Sequence, residues 1–292
     1  MESTLLCSPS RDWLIVGSNG SIGSELTGAL LSSIPGNDLL SAACRVHPHQ
    51  AYPEHALALL RTRRGHRPLR LLFCGGKGGF SLTQENAARQ HEVLRDFCHR
   101  LGQSEALEKF IFISSLGAHC SRLEGSYSHL IRSNEETVLG TFGNRSLVLR
   151  LPSIYGYNER SRRYHGLVGV MLRNMRIRRL TNIYARLETR RNYLSIHRLA
   201  PLLVRRHGAG GLLDRTGCLN IQATIGLSIF DVGTHFFRAI KQRPILKLAR
   251  HSLLDEEHHY PVALAGAKFV VIDPIAEWVS LEWKRSVPLS PS

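Results

Sequence analysis

One stretch near the N-terminus restricts the fold more than any other, because it joins a short apolar run, a glycine-spaced turn and a helical pattern. The apolar run at 13–16 ends at Gly17, and glycines recur at Gly20 and Gly23 before a helical pattern at 24–31. An apolar run bounded by glycine is typical of a strand buried in a parallel sheet. This succession predicts an α/β fold whose first loop can receive an anion.

The alternation of strand and helix patterns continues to about residue 151. Strands are predicted at 38–43, 69–74, 109–113 and 146–151, and helices at 85–101 and 126–139. Such alternation predicts a doubly wound parallel sheet. After Pro152 the periodicity weakens, and a strand at 218–221 and a helix from about Ser228 are the clearest later elements.

Composition excludes several classes of protein. The chain has 292 residues, 43% apolar and 21% charged, which is typical of a globular protein rather than a disordered one. We find neither a signal-peptide pattern at the N-terminus nor an apolar run long enough for a membrane span. The six cysteines are scattered without a C-x-x-C pair, so we expect thiols in a cytoplasmic protein.

The chain is strongly basic, with a formal net charge of +15. Of its 38 basic side chains only six are lysines, so the excess is also explained by the codon usage of a GC-rich genome. The functional alternative is an anionic partner, either a nucleotide ligand or nucleic acid. The densest cluster, at 61–70, contains no aromatic residue. It therefore predicts a solvated basic loop and argues against nucleic acid.

The glycine spacing itself indicates dinucleotide binding. In such a loop the first glycine permits the tight turn, the second lets the backbone approach a diphosphate, and the third lets the helix pack closely. The alternative is a nucleotide-binding fold that retains this loop but binds no ligand. Where a carboxylate holding the adenosine ribose is expected, the sequence has Arg45. Arg45 favours NADP over NAD, unless it is a surface arginine.

Five further segments follow in order: 72–76, 110–115, Tyr127 with Glu135, R-L-P-S-I-Y-G at 150–156, and R-N-Y-L-S-I-H-R-L-A at 191–200. Together with the glycine loop they resemble the extended short-chain dehydrogenase/reductase family. The resemblance is to its NAD-dependent epimerase/dehydratase group, which acts on nucleotide sugars, and it runs from about residue 12 to 240.

The resemblance implies roles for individual residues. Ser115 and Tyr127 would be catalytic, with the tyrosine exchanging a proton with the sugar oxygen that the serine polarises. Ser153 and Arg191 would bind the substrate, Arg191 through its phosphates. The implied cofactor contacts are Gly17, Asn19, Gly20, Ser21, Ile22, Gly23, Arg45, Gly75, Gly76 and Pro152. The simpler alternatives are a strand-end serine, a helix N-terminal tyrosine and a structural arginine.

One expected residue is missing. In the family a lysine four residues after the tyrosine lowers its pKa, and this position is Ile131. An unperturbed tyrosine has a pKa near 10, so at pH 7 about one molecule in a thousand carries the phenolate. Three interpretations stay open: a cation from elsewhere in the fold, a tyrosine that acts as a neutral acid, or a weak enzyme. A neutral tyrosine suits ketone reduction better than alcohol oxidation.

The segment that follows Arg45 is shorter than in the family. About 25 residues separate Arg45 from Leu71, too few for the family's third strand with its acidic adenine-binding motif. The histidine pairs at 47 and 49 and at 258 and 259 lack complete ligand sets, so we predict no metal site.

We therefore predict a Rossmann-type α/β fold, a doubly wound parallel sheet with a small C-terminal substrate-binding part. Residues 1–156 would form the NAD(P)-binding domain, with 191–205 returning to it, and 157–292 mainly the substrate-binding part. The predicted function is an NAD(P)-dependent enzyme that reduces or epimerises a nucleotide sugar in glycan precursor synthesis. The alternative is a catalytically degenerate NAD(P)-binding sensor or scaffold. The predicted partners are a nucleotide sugar and a second copy of the chain in a homodimer, with no membrane partner.

Overall fold

The large sheet is built around strand β1 (Asp12–Val16), whose five residues are all buried. The structure, a computed structural model, describes residues 11–33, 39–42, 52–61, 67–76, 82–120, 126–159, 163–184, 186–204, 211–223, 226–248, 267–271 and 275–284. Strand β1 pairs in parallel with β2 (Leu39–Ala42) and β3 (Leu69–Phe73). The further strands are β4 (Leu107–Ser115), β5 (Ser146–Leu151), β10 (Gly217–Ala223) and β12 (Ala267–Val271).

These seven strands lie in the order β12-β10-β5-β4-β3-β1-β2, and every pair is parallel. The predicted doubly wound parallel sheet is therefore confirmed. In the part of the chain that the structure describes, β2 forms one edge and no strand lies beyond it. This agrees with the short sequence between β2 and β3.

Helices cover both faces of the sheet. On one face α1 (Ser21–Ser33) packs beside α7 (Ile196–Val204), and their apolar residues join a core that includes Ile15 and Leu72. On the other face α3 (Gln84–Gly102) packs beside α5 (Ser126–Phe142), over Phe73 and Phe110. The shorter helices here are α2 (Tyr52–Arg61) and α4 (Gly117–Cys120). None of the described helices has the length and apolar character needed to span a membrane.

The weakly periodic region after residue 152 forms short elements. Strands β6 (Ser153–Asn158), β7 (Arg163–His165) and β9 (Tyr193–Ser195) make a small sheet, and β8 (Thr181–Ile183) pairs with β11 (Leu246–Leu248). Helices α6 (Gly166–Arg176), α8 (Ile229–Ile240) and α9 (Ile275–Lys284) pack with β6 around a third apolar core. Four of these strands are three residues long, which is too short to leave a period in the sequence.

The C-terminal region is not all separate from the large sheet. The prediction placed residues 157–292 mainly in the substrate-binding part, and β10 and β12, within that range, extend the large sheet beyond β5. The strand predicted at 218–221 is therefore a member of the large sheet. The division at residue 156 stays a prediction.

Part of the basic charge is used inside the fold. Arg70 was predicted in a solvated loop, but it lies in β3 with 2% exposure. Its guanidinium pairs with Glu108 at 2.9 Å and with Asp214 at 2.7 Å. Lys109 is also buried, and its Nζ donates to the carbonyl oxygens of Asp214 and Arg215 at 2.6 and 2.9 Å. These two cations therefore stabilise the sheet and do not present charge to a partner.

Candidate functional site

The glycine loop between β1 and α1 lies against the end of β3. Gly17 has a φ of +91°, which an L side chain rarely adopts. A Cβ at Gly17 would lie 2.8 Å from the carbonyl carbon of Cys74 and 2.9 Å from the backbone nitrogen of Gly75. The loop and the segment at Cys74–Gly75, two predicted parts of the cofactor site, therefore come together as expected.

The other two glycines make the turn narrow. The backbone N–H of Gly20 donates to the carbonyl oxygen of Gly17 at 2.9 Å, and the N–H of Ser24 donates to Gly20 at 2.9 Å. A Cβ at Gly23 would lie 2.1 Å from the Gly17 oxygen, which is impossible without moving the backbone. The first turn of a helix leaves its N–H groups without helical acceptors. This turn, a backbone cradle closed by atoms of Gly17, Gly20 and Gly23, has no room for a side chain at Gly17 or Gly23 and lies beside those groups.

The remaining predicted loop contacts differ in exposure. Asn19 is exposed, whereas Ser21 and Ile22 are half-buried in the first turn of α1. Gly75 is half-buried, and Gly76 is exposed with a φ of +123°. Their roles in cofactor binding stay predictions.

The ends of β4 and β5 bring the next predicted residues to the same edge. Ser115, the last residue of β4, pairs with Leu151 of β5. The backbone N–H of Leu116 donates to the carbonyl oxygen of Leu151 at 2.8 Å, and Pro152 follows as a buried residue. Since β4 lies two strands from β1, Ser115 is about 10 Å from the strand that leads into the glycine loop.

Tyr127 meets Ser115, as the resemblance implied. Tyr127 is the second residue of α5, and its side chain forms a hydrogen bond with the side chain of Ser115. Burial raises the pKa of Tyr127 above its ordinary value, and the bond with Ser115 offsets part of that rise. No charged side chain among the described residues lowers it further. The phenol is therefore protonated at neutral pH.

The position where the family has its lysine offers no cation. Ile131 is one helical turn beyond Tyr127 on α5 and is half-buried. His129 and Arg132 lie on other faces of the helix, and neither contributes to the pKa of Tyr127. Of the three interpretations left open by the sequence, the neutral tyrosine fits this geometry.

A buried ionic network lies two helical turns beyond Tyr127 on the same helix. Glu135 is 3% exposed; it accepts from Arg150 Nη2 at 2.7 Å and contacts His119 Nε2 at 3.0 Å. The hydroxyl of Ser114 also donates to Glu135. Burial raises the pKa of Glu135, but the hydrogen bonds with His119, Arg150 and Ser114 outweigh it and hold the pKa below its ordinary value. The network fixes the residue next to Ser115.

Sequence reasoning found only part of this network. Glu135 and Arg150 belong to segments that were matched to the family, but their pairing was not predicted, and His119 was missed. The available signal was the spacing of eight residues from Tyr127 to Glu135, which places both on one face of a helix.

The predicted substrate residues lie beyond the end of β5. Ser153 begins β6, and its backbone N–H donates to the carbonyl oxygen of Asn192 at 2.9 Å. The neighbouring Arg191 is half-buried and exchanges two backbone hydrogen bonds of 2.9 Å with Leu227. The structure thus brings Ser153 and the Arg191 segment side by side. Their contact with a substrate stays a prediction.

Some predictions lie outside the described residues or have no counterpart among them. Arg45 and both histidine pairs are outside the described residues. Within the described ranges, no group of three or more His, Cys, Asp or Glu side chains is placed to hold a metal ion.

Burial raises the pKa of the Cys74 thiol beside the glycine loop, so that thiol stays protonated.

A cavity of about 320 Å³ lies between α1 and α7. Its lining does not include Ser115 or Tyr127 and consists of Ser24, Glu25, Gly28, Ala29, Ser32, Glu159, His197, Ala200 and Pro201. We place the candidate active site at the strand ends, because the chemically reactive side chains meet there.

Comparison of sequences finds no relatives. No protein-family model matches this chain. No curated protein matches it either.

Comparison of structures finds extensive similarity. UDP-glucose 4-epimerase from Thermotoga maritima superposes with a TM-score of 0.68 and 16% identity, over 93% of this chain and 98% of that one. UDP-glucuronic acid 4-epimerase from Bacillus cereus, in complex with UDP-glucuronic acid and NAD, gives 0.66 and 15% over 93% and 98%. dTDP-4-dehydrorhamnose reductase from Yersinia enterocolitica gives 0.67 and 15% over 92% and 99%. The chain has the fold of these enzymes, which confirms the resemblance at the level of the fold.

Proposed function

We propose that the protein is an NAD(P)-dependent enzyme that reduces a keto sugar carried on a nucleotide. The observation that carries this proposal is the hydrogen bond between Ser115 and Tyr127 at the sheet edge that also holds the glycine loop. The glycine loop at 17–23 and the Ser115–Tyr127 pair are far apart in sequence, and their position at one sheet edge agrees with the arrangement that the family resemblance implies. Solved structures with the same fold include epimerases and a reductase of nucleotide sugars.

The glycine loop fits a dinucleotide. The space that a Cβ at Gly23 would fill is taken by the Gly17 oxygen, and the loop ends at the N-terminus of the 13-residue helix α1. A helix N-terminus with exposed N–H groups favours a diphosphate. Gly17, Gly20 and Gly23 would therefore hold the diphosphate, with Ser21 and Ile22 offering backbone N–H groups. Bound there, a nicotinamide coenzyme would supply the hydride.

The state of Tyr127 favours reduction over oxidation. A protonated phenol donates a proton to the carbonyl oxygen of a keto sugar as that oxygen gains negative charge. Ser115 donates a hydrogen bond to the same oxygen and stabilises the developing charge. The phenolate that remains regains its proton from solvent. Oxidation of an alcohol, and any epimerisation that begins with it, instead requires a proton acceptor, and no lysine in the described ranges lowers the pKa of Tyr127 for that task.

The substrate half of the proposal depends on Arg191. A guanidinium binds phosphate oxygens through two parallel hydrogen bonds, which suits the diphosphate of a nucleotide sugar. The small sheet formed by β6, β7 and β9 places Arg191 and Ser153 next to the end of β5. A sugar held there by its nucleotide would have its carbonyl near Ser115.

The test combines binding and turnover. We expect NADH or NADPH to bind with enhanced nicotinamide fluorescence, and one of a panel of nucleotide 4-keto sugars to be reduced. Tyr127→Phe removes the proton donor and should lower kcat by about 10²–10⁴-fold with coenzyme affinity unchanged. Tyr184→Phe, at an exposed tyrosine, should leave kcat unchanged.

Two outcomes contradict the proposal. If neither coenzyme binds, the glycine loop is not a dinucleotide site. If coenzyme binds but no sugar turns over, and Tyr127→Phe behaves as the parent, the chain is a coenzyme-binding sensor or scaffold.

A further inference from the structure

A histidine from the small sheet contacts the first residue of the glycine-loop helix. The hydroxyl of Ser21 lies 2.9 Å from Nδ1 and 2.5 Å from Nε2 of His165. The two residues are 144 positions apart in the chain. Ser21 opens α1, so the imidazole lies at the helix end where the diphosphate is proposed to bind.

The backbone holds His165 in this position. His165 ends β7 and pairs with Gly156 of β6. The next residue, Gly166, has a φ of +65°, and a Cβ there would lie 2.2 Å from the carbonyl oxygen of Ile154. His165 is also the N-cap of the 11-residue helix α6, but its side chain makes no capping hydrogen bond. Its ring is therefore directed by tertiary contacts rather than by its own helix.

A second contact attaches the same hairpin to α1. The Nδ2 of Asn158, the last residue of β6, donates to Ser24 Oγ at 2.5 Å and to the carbonyl oxygen of Ser21 at 3.3 Å. Asn158 is 1% exposed. The β6–β7 hairpin is thus fixed to the first turn of α1 at two points, so the position of His165 beside the loop is built into the fold.

The chemistry of an imidazole suits an anion at this place. Burial first, and then the positive charge of Arg163 on the same strand, lower the pKa of His165 below its ordinary value. From α1 the ring faces the Ser21 hydroxyl, and from β6 it pairs with a glycine, neither of which titrates. Arg163 is the one charged group in the described ranges that acts on the ring. Without an anion the ring is therefore neutral near pH 7.

We propose that His165 is a further coenzyme-binding residue, which exchanges its contact with Ser21 for a hydrogen bond to the diphosphate and takes up a proton on binding. This inference rests on the proposed function, since it assumes that a dinucleotide occupies the glycine loop. A negative charge within hydrogen-bond distance favours the protonated ring. Coenzyme affinity should therefore rise as the pH falls, through the range in which histidine titrates.

The experiment measures the Kd of NADH by fluorescence titration between about pH 6 and pH 8. NADH is the probe because it lacks the titrating 2′-phosphate of NADPH. In the parent protein we expect the Kd to decrease about tenfold from pH 8 to pH 6. In His165→Gln, which keeps a hydrogen-bonding side chain without a titrating ring, the Kd should be nearly independent of pH. His99→Gln, at an exposed histidine in the last turn of α3, should keep the parent slope.

A second measurement needs no variant. Titration calorimetry of the parent with NADH at about pH 7, in two buffers of different ionisation enthalpy, reports proton uptake directly. Uptake of a fraction of a proton supports the inference. No uptake, or a pH slope that survives in folded His165→Gln, overturns it. If neither NADH nor NADPH binds to either protein at any pH, the proposed function itself fails, which is a distinguishable result.

Discussion

The two halves of the candidate site are built from different materials. On the coenzyme side, the loop around Gly17 and Gly23 is shaped by backbone atoms, and adding a single Cβ at either position would collide with the main chain. On the proton-transfer side, α5 presents Tyr127 and Glu135, whose states depend on burial and on side chains from other elements.

The two halves therefore differ in which substitutions they tolerate. The shape of the backbone cradle depends on glycine at a few positions, and not on the side chains around it. A tyrosine's proton affinity depends on every charge and surface packed around it, and with Ile131 one turn away the pKa of Tyr127 stays raised by burial. Compared with the family that the sequence resembles, the chain has the glycine loop and has Ile131 where that family has its lysine.

The largest expected effect concerns the buried network on the proton-transfer side. Glu135→Gln removes the charge that pairs with Arg150 and contacts His119, and should lower the free energy of unfolding by about 3–5 kcal/mol. Glu136→Gln, at the exposed neighbour, should change it by less than about 0.5 kcal/mol. Denaturant titration at neutral pH measures both.

The pH dependence of this effect has a definite sign. Because the folded-state pKa of Glu135 is lowered, its stabilisation is fully present above the unfolded-state pKa and is lost as the pH falls through the folded value. The gap in unfolding free energy between the parent and Glu135→Gln should therefore narrow in acid. A loss below about 1 kcal/mol at neutral pH would show that the network is not structural.

The second largest expected effect concerns a substitution in the glycine loop. Gly23→Ala places a Cβ where the Gly17 oxygen lies, and the resulting shift should cost about 1–3 kcal/mol of stability. It should also weaken NADH binding by about tenfold or more, since the cradle moves. Gly28→Ala is the matched control, because its Cβ meets nothing within 4 Å in the same helix. Alanine there should raise helix stability by about 0.5–1 kcal/mol. Equal NADH affinity in both variants would contradict the backbone cradle.

The smallest effect sharpens the comparison by restoring the missing cation. Ile131→Lys places an ammonium one turn from Tyr127 and should lower the pKa of that phenol. The rate at which a hydroxyl group of the nucleotide sugar is oxidised should then rise at a lower pH than in the parent. Ile131→Met, of similar length without charge, should keep the parent pH profile. An unchanged profile in Ile131→Lys would show that the lysine position no longer faces the phenol.

The sequence predicted the long, strongly patterned elements well. Strands β1, β3, β4 and β5 and helices α3 and α5 have apolar patterns that can be recognised from the sequence alone. Helix α6 and strands β6 to β9 were not predicted, because β7, β8 and β9 have only three residues each and because arginines interrupt the pattern. The place of β10 and β12 in the large sheet was missed, because the pairing of β10 with β5 and of β12 with β10 joins distant parts of the chain.

At the site, the sequence alone determined the residue types: three glycines at fixed spacing, a serine ending a strand, a tyrosine opening a helix and an isoleucine in place of lysine. Those features follow from local spacing, which a linear pattern records. Only the tertiary structure decided that Ser115 meets Tyr127, that His119 and Arg150 share Glu135, and that His165 reaches Ser21. Burial and contacts between distant residues set the protonation of these groups, and both depend on how the whole chain packs rather than on neighbours in sequence.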